Sequence, residues 1–452
     1  METICAISTA YGTGGIAVIR VSGEDAIRIV DRLFVGRHRL ADTPANCIRY
    51  GRIQKTDRSQ VDLNEQTEVL DEVLCSVFRA PHSFTGEDIV EIACHGSLYI
   101  QQTLLQWLVD SGARMAKAGE FTQRAFLNGK MDLAQAESVA DLIAAQTKAE
   151  KDLALSQLRG SVSNELGALR ERLLHFTSLV ELELDFADHE ELEFADRSEL
   201  TALADEIASK LQALIRSFRT GNAIRNGVSV AIIGAPNVGK STLLNALLGE
   251  QRAIVSNIQG TTRDTIEDTL VIDGILFRLI DTAGIRETQD TIEQMGVERS
   301  RHAAEQAQII IHVVDNEDLR FKIEDLRFSG TVINVRNKAD LLEHSAFSIQ
   351  NSELLISAKH GDIEPLKQEL VRVARAGMTT EAVMLSNARH YEAVSRAYEA
   401  IERVRKGLDD GLSGELLSLD LQDCLAALGE VTGQITNQEV LSNIFSKFCI
   451  GK

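Results

Sequence analysis

Gly234-Ala235-Pro236-Asn237-Val238-Gly239-Lys240-Ser241 has the spacing of a P-loop, in which glycines let backbone N–H groups turn inward on a phosphate. The aliphatic run Val228 to Ile233 precedes it and the helical run Thr242 to Leu248 follows, the strand-loop-helix context the motif requires. A bland Gly-rich turn has no such frame. In this loop Lys240 neutralises the β/γ-phosphate oxygens and the Ser241 hydroxyl is a Mg²⁺ ligand. Outward from it, Leu276 to Ile280, Ile309 to Val314, Val332 to Val335 and Leu354 to Ile356 are further aliphatic strands separated by loops and helices. That alternation predicts a parallel sheet wrapped by helices over 223–378, a Ras-like P-loop GTPase domain.

Three later segments complete a nucleotide site. Asp281, Thr282, Ala283 and Gly284 end a strand where a carboxylate supports the Mg²⁺ shell and a glycine N–H senses the γ-phosphate. Thr262, in Gly260-Thr261-Thr262-Arg263-Asp264, stands between the phosphate motifs and is the expected second Mg²⁺ ligand. Asn337, Lys338, Ala339 and Asp340 choose the base: the Asp340 carboxylate accepts from guanine N1–H and N2–H₂, which adenine does not offer, so GTP is expected. Ser357, Ala358 and Lys359 follow another strand and fit the loop that buttresses guanine, with the Ala358 N–H directed at O6. Nucleotide contacts are therefore expected from Asn237, Val238, Gly239, Lys240, Ser241 and Thr242 as well as these segments. Ile285 stands where Ras-like enzymes carry a water-orienting glutamine. Glu293 is a candidate for that task, or one solvated acid among Glu287, Asp290 and Glu298. Lys240, Thr262 and Glu293 are the catalytic candidates.

The flanks differ. At 452 residues the chain exceeds one hydrophobic core, so it must be modular. Residues 1–121 mix aliphatic runs (Gly15 to Arg20, Ile89 to Ala93) with helical segments near 24–34 and 97–110, an α+β domain. Residues 122–222 and 379–452 are rich in Ala, Leu, Glu and Gln. Leu166, Leu169, Leu173, Phe176 and Val180 repeat three and four apart, as do Leu200, Leu203, Ile207, Leu211 and Leu214, and also Leu417, Leu421, Cys424, Leu425 and Leu428. Each set is one buried helix face. One helical domain interrupted by the α/β segment explains both stretches more simply than two helical domains. The acidic run Glu181 to Glu193 reads as a solvated connection.

Hydrophobic residues at 44% and charged residues at 25% fit a globular protein. No apolar run approaches the roughly 18 residues of a membrane span, and Met1 to Ala10 lacks a signal-peptide pattern, so a cytoplasmic location without membrane contact is expected. Cys5, Cys47, Cys75, Cys94, Cys424 and Cys449 form no C-x-x-C pair and read as free thiols. A net charge of −20 argues against RNA binding on charge balance alone, although a local basic groove can exist on an acidic protein.

The whole chain resembles the MnmE (TrmE) family of bacterial tRNA-modification GTPases. The resemblance is carried by Ile16 to Val21, Ser83-Phe84-Thr85-Gly86-Glu87-Asp88, the run Gly119 to Lys130, the Gly260 to Asp264 segment and the terminal Cys449-Ile450-Gly451-Lys452. Gly129 stands where an acidic residue is more usual. The resemblance implies a tetrahydrofolate-binding N-terminal domain that makes a homodimer, and a helical domain split around the GTPase domain. It also implies action with the FAD-dependent partner MnmG (GidA) to place a 5-aminomethyl or 5-carboxymethylaminomethyl group on the wobble uridine of certain tRNAs. The one-carbon donor would be 5-formyl- or 5,10-methylene-tetrahydrofolate, surrounded by Arg20, Glu91, Lys130 and Lys452. K⁺ beside the phosphates would be held by Asn237, the Ser256 and Ile258 carbonyls, and Thr261. Cys449 is either a nucleophile or a packing residue. Two competing functions are an RNA-binding regulatory GTPase and a scaffold with a decayed site. The first usually carries a separate RNA-binding module, and the second conflicts with the intact Lys240, Ser241, Asp281 and Asp340.

Overall fold

The computed structural model describes residues 1–55, 68–185, 197–251, 268–280, 303–314, 330–341, 353–378, 383–436, 438–446, 448 and 450–451. Two compact units emerge from the chain: Met1–Ala140 with Leu158–Ser163 and Gly429–Lys452, and Asp141–Gln157 with Asn164–Leu428.

The first unit is built on a seven-stranded sheet of β1 (Ile4–Ile7), β2 (Gly14–Ser22), β3 (Phe34–Gly36), β4 (Cys47–Gln54), β5 (Val69–Phe78), β6 (Ile89–Gly96) and β7 (Arg114–Met115), in the order β3-β4-β5-β6-β2-β1-β7. Only the β1/β7 pair is parallel. Side chains alternate between the two faces of a strand, and one face, with Ile19, Val21, Cys75, Val77, Val90 and Ile92, is buried together with apolar residues of α1 (Ala26–Leu33) and α2 (Leu98–Asp110). The other face carries Arg20 and Glu91, which are register partners of β2 and β6.

In α3 (Glu120–Leu127), Phe121 is fully buried and Arg124 is 3% exposed. A buried guanidinium must be paired: Arg124 bonds both carboxylate oxygens of Glu87 and one of Glu120, and Arg114 bonds Glu120 and Glu2. The chain's end returns to this unit. Gly119, at φ 64°, lies against the Phe445 carbonyl and Phe448 side chain, where a Cβ would collide, and Ala118 bridges Ile450. The Ser8 hydroxyl donates to the Gly451 carbonyl at 3.2 Å. Phe445, in α12 (Gln438–Ser446), joins Leu133 and Ala136 of α4 (Leu133–Ala144) in one apolar cluster.

The second unit contains the long helices and the α/β segment. In α6 (Ser161–Asp185) the predicted stripe Leu166, Leu169, Leu173, Phe176 and Val180 is buried. In α7 (Arg197–Asn226), Leu200, Ile207, Leu211 and Leu214 are buried as expected, while Leu203 is only half-buried. The helices α5 (Lys148–Leu158), α10 (Ala388–Asp409) and α11 (Gly414–Thr432) complete the helical part.

Strands β8 (Val228–Ile233), β9 (Asp268–Ile272), β10 (Ile275–Ile280), β11 (Ile309–Val314), β12 (Thr331–Arg336) and β13 (Glu353–Leu355) form a sheet of order β13-β12-β11-β8-β10-β9. Five strands are parallel, as predicted, and β9 is an antiparallel edge missed in the sequence. The cause is a two-residue turn at Asp273-Gly274, both with positive φ (48° and 77°), the conformation that reverses a strand within a tight hairpin. Leu243 and Leu247 of α8 (Lys240–Gln251) and Leu366 and Leu370 of α9 (Glu364–Ala376) share the core with this sheet.

Both ends of the α/β segment meet α7. The helix ends at Asn226, directly before β8, and on the return path the Leu385 N–H donates to Ser217 Oγ at 3.1 Å. Gly221 lies so close to the Leu385 carbonyl that a Cβ has no room, and the Tyr391 ring stacks on Phe218 at 4.4 Å. Gln157 fastens the same return path, donating to the Met384 carbonyl and to Ser386 Oγ.

The Glu120 carboxyl tests the ion network of the first unit. Burial favours its neutral form, but the bonds from Arg114, the Lys117 N–H and Arg124 outweigh burial and hold its pKa at about 2 rather than 4.5. A depressed carboxyl stabilises the fold above its unfolded pKa, and that stability is lost as pH falls towards the folded value. Glu120→Gln is expected to destabilise the first unit at neutral pH by about 3 kcal/mol. In denaturant melts the deficit should shrink as pH falls from 4.5 towards 2. A deficit independent of pH would show that the network stabilises through packing instead of charge.

Candidate functional site

The loop between β8 and α8 alternates backbone handedness: Gly234, Asn237 and Gly239 have φ of 156°, 65° and 99°. Successive N–H groups in such a loop converge into an anion nest at the start of a helix, where the helix dipole also favours negative charge. Lys240 begins α8, and its Nζ donates to the Gly234 and Ala235 carbonyls at 2.9 and 2.7 Å. The ammonium is thus folded back over the loop, and burial lowers its pKa. A phosphate in the nest would exchange those neutral acceptors for anionic ones. Val238 is buried, Gly239 accepts the Leu243 N–H, and Ser241 and Thr242 lie in the first turn of α8.

The segment 337–340, expected to read the base, is tied to this loop by one side chain. Asn337 is 3% exposed; its Nδ2 donates to the Val238 carbonyl at 2.9 Å and its Oδ1 accepts the Ala358 N–H at 3.1 Å. The N–H expected to face O6 of guanine is therefore given to Asn337. Gly239 leaves the space for that amide, because a Cβ there would overlap Asn337 Nδ2. Lys338 adopts φ 62°, a left-handed turn that carries the chain into the short 3₁₀ helix Ala339–Leu341. Asp340 Oδ1 accepts from Ser357 Oγ at 2.6 Å, and that bond above all holds the carboxyl below its ordinary pKa, so it stays anionic. Lys359 is exposed beside it. His360, which sequence reading did not select, places Nδ1 at 3.0 Å from Ser357 Oγ and 3.8 Å from Asp340 Oδ2. Its only signal was its place directly after Ser357-Ala358-Lys359. Thr262, Asp281, Thr282, Ala283, Gly284, Glu293, Ser256, Ile258 and Thr261 lie outside the described residues.

In the first unit, Arg20 Nε and Nη2 both bond Glu91 Oε1, at 2.9 and 2.8 Å. The guanidinium also faces the rings of Phe84 and Phe121, 5.3 and 5.6 Å from their centroids. Lys130 Nζ donates to the Pro81 carbonyl at 2.9 Å, and its chain runs along Gly86. Behind this loop, Ser22 Oγ bonds Thr85 and Glu87, which Arg124 anchors. The sequence placed Phe84 and Phe121 in marked segments but gave neither a role. Lys452 and Cys449 lie outside the described residues. The other cysteines are free, and burial raises the thiol pKa of Cys5 and Cys94 to about 11 and of Cys424 to about 12, far from a reactive thiolate.

Two family models together cover nearly the whole chain. The TrmE N-terminal domain ("GTP-binding protein TrmE N-terminus") matches residues 3–130, and the MnmE helical domain matches residues 133–449. The chain is 53% identical to the tRNA modification GTPase MnmE of Parabacteroides distasonis, over all of both chains. It is 49% identical to the protein of the same name from Porphyromonas gingivalis and 50% identical to that of Bacteroides thetaiotaomicron, over the whole chain and 98% and 99% of those relatives. Among the described residues no helix is long and apolar enough to cross a membrane. These full-length matches, to which the nest and the amide beside it conform, show that the chain is a GTP-binding GTPase and belongs to the MnmE (TrmE) family of tRNA modification GTPases.

Proposed function

We propose that this chain hydrolyses GTP at the β8–α8 loop in a K⁺-dependent way and uses the cycle to modify the wobble uridine of tRNA. The observation that carries the reading is the Asn337 amide, which fastens the phosphate loop to the Ala358 strand end beside the anionic Asp340. One rigid unit then measures both ends of a guanine nucleotide. Asn237, Val238, Gly239, Lys240, Ser241 and Thr242 bind the phosphates, with Asp281, Thr282, Ala283 and Gly284 on the γ side. Asn337, Lys338, Asp340, Ser357 and Lys359 hold the base, with Ala358 backing them through its N–H bond to Asn337.

The chemistry of the donors suits the expected ions. Ser241, in the first turn of α8 behind the nest, would hold Mg²⁺ with Thr262, and the amide oxygen of Asn237, exposed at a left-handed turn, would hold K⁺ with Ser256, Ile258 and Thr261. K⁺, when bound, supplies positive charge beside the phosphates. Lys240 binds the β/γ oxygens as charge develops there, and Glu293 orients the attacking water, the task that Ile285 cannot perform.

In the N-terminal domain, Arg20 positions Glu91 through Oε1 alone. Its second oxygen is then available to accept from the N–H groups of a tetrahydrofolate head, 5-formyl or 5,10-methylene, with Lys130 and Lys452 nearby. Phe84 and Phe121 give the site its apolar wall. A homodimer, a complex with the FAD-dependent MnmG (GidA), installation of the 5-aminomethyl or 5-carboxymethylaminomethyl group, and a cytoplasmic location complete the proposal. So does a division into 1–121 (folate and dimer domain), 122–222 and 379–452 (helical domain) and 223–378 (GTPase domain). The packing of Phe445 and Phe448 on Gly119 supports a chain end that reaches the folate domain.

Asp340→Asn is expected to weaken GTP binding by about 2–4 kcal/mol, because a charge-assisted pair to the base is lost. Titration calorimetry with GTP, and with xanthosine triphosphate as a base-swapped probe, measures it. Unchanged affinity for GTP would remove Asp340 as the base reader.

Single-turnover hydrolysis should be far faster in K⁺ than in Na⁺, and Glu293→Ala should lower kcat about 100-fold or more while GTP affinity stays near wild type. Equal rates in the two salts would eliminate the K⁺ role. An undiminished kcat would return Glu293 to a solvated acid.

A further inference from the structure

The chain carries 67 acidic against 47 basic residues, yet one edge of the first unit reverses that balance. From Arg28 to Arg39 the charged residues are Arg28, Asp31, Arg32, Arg37 and Arg39, with His38 among them. Arg28 and Arg32 are one turn apart on α1, both exposed, about 6 Å apart along its axis. The helix runs directly into β3, the outermost strand of the sheet, and Arg37, His38 and Arg39 follow on exposed backbone.

This stretch is held in place. Asp31, 6% exposed, accepts from Arg39 Nε and Nη2 at 3.0 and 2.7 Å and from the Leu40 N–H at 2.7 Å, which pins the loop onto α1. Arg79 donates to the Ala41 and Thr43 carbonyls and Arg49 to Thr43 Oγ1. Gly36 and Gly51, register partners, close over the Phe34 ring with no room for a side chain. Asp31 is fully engaged with the loop and Asp25 pairs with Arg28, while the exposed acids Glu24 and Asp42 flank the stretch, Asp42 beside Arg39. Among the described residues Arg32 and Arg37 have no ion-pair partner, and their charge faces solvent.

Edge strands often carry charges that prevent sheet-to-sheet pairing, but β3 itself reads Phe34-Val35-Gly36 and holds none. The arginines lie beside it, on the helix face and the loop. A membrane surface would call for apolar side chains to insert, and over Ala26–Asp42 only Val35 is an exposed large apolar residue. The patch also uses arginine throughout and no lysine before Lys55, and the planar guanidinium fork matches phosphate oxygens two at a time.

We propose that Arg28, Arg32, Arg37, His38 and Arg39 form a docking surface for the sugar-phosphate backbone of tRNA. This rests on the reading of the chain as a tRNA-modifying enzyme and supplies the contact that its overall acidity conceals. RNA helices are recognised mainly through backbone and shape, so the surface grips and orients while the uridine is selected elsewhere. Helix α1 covers the sheet face opposite the one that carries Arg20 and Glu91, so the surface grips RNA at a distance from that site.

The test is tRNA binding by the full chain, followed by fluorescence anisotropy over a range of KCl concentrations, for wild type, R32E/R37E and R32K/R37K. Charge reversal is expected to weaken binding about tenfold or more at low salt and to reduce the slope of log affinity against log salt by about 2, one per lost phosphate contact. R32K/R37K, which keeps the charge and loses the fork, should keep the wild-type salt slope and bind more weakly than wild type but more tightly than R32E/R37E, and GTP hydrolysis without tRNA should be unchanged in both. Equal affinity and slope in wild type and R32E/R37E would overturn the surface while sparing tRNA as a partner. A wild-type chain that binds no tRNA would overturn both readings. Binding to anionic phospholipid vesicles that R32E/R37E abolishes, with tRNA binding intact, would assign the patch to a membrane and overturn the proposal.

Discussion

The second unit depends on one constraint: the α/β segment must leave and re-enter the helical part at one place. Helix α7 meets it with two small residues. Ser217 bonds the Leu385 N–H, and Gly221 lets the Leu385 carbonyl approach closer than any side chain would permit. Phe218, between them in sequence, stacks on Tyr391 at the start of α10. An inserted domain whose ends are fastened to one helix leaves the host's packing undisturbed. The same fastening puts α7 at both ends of the α/β segment, since β8 begins two residues after the helix ends.

Within the α/β segment the corresponding constraint is the Asn337 amide. It has one donor and one acceptor committed to two different loops, and burial makes either loss costly because the remaining group would stay unsatisfied. The P-loop glycine Gly239 serves this amide as much as it serves a phosphate. The β8–α8 loop and the Ala358 segment are thus tied together in the chain itself. Asp340 sits on the solvent side of the same turn, oriented by Ser357. Its pairing therefore survives only where Ser357 and the Asp362 backbone hold the loop closed, through the exchanged Ser357–Asp362 N–H bonds.

The sequence was most legible where chemistry demands a fixed spacing. The P-loop, Asn337 to Asp340 and Ser357 to Lys359 fall at strand ends as expected, and five strands and most of each helix stripe followed from periodicity. What escaped was set by partners distant in sequence. Strand β9 was hidden because Asp268 to Ile272 is short, and its pairing is decided by two left-handed residues, Asp273 and Gly274. The return of Gly429–Lys452 to the first unit left no periodic mark, since it depends on Gly119 offering space to Phe445 and Phe448. His360 and the two rings around Arg20 were invisible for the same reason: each gains its place from a contact across the fold. The buried pairing of Arg124 with Glu87 and Glu120 left no mark in the sequence.

Net charge was the poorest guide of all, for a physical reason. At physiological ionic strength the Debye length is about 8 Å, so an exposed acid more than a few side chains away contributes little to the potential at a given surface point. The acidity of this chain is spread over 452 residues, whereas Asp31 binds the loop that displays Arg37 and Arg39 and so spends its charge on geometry. An acid used in this way adds to a basic surface: it is buried, fully bonded, and holds the cations outward. A polyanion approaching within a Debye length of that edge meets the arginines and not the average of the molecule.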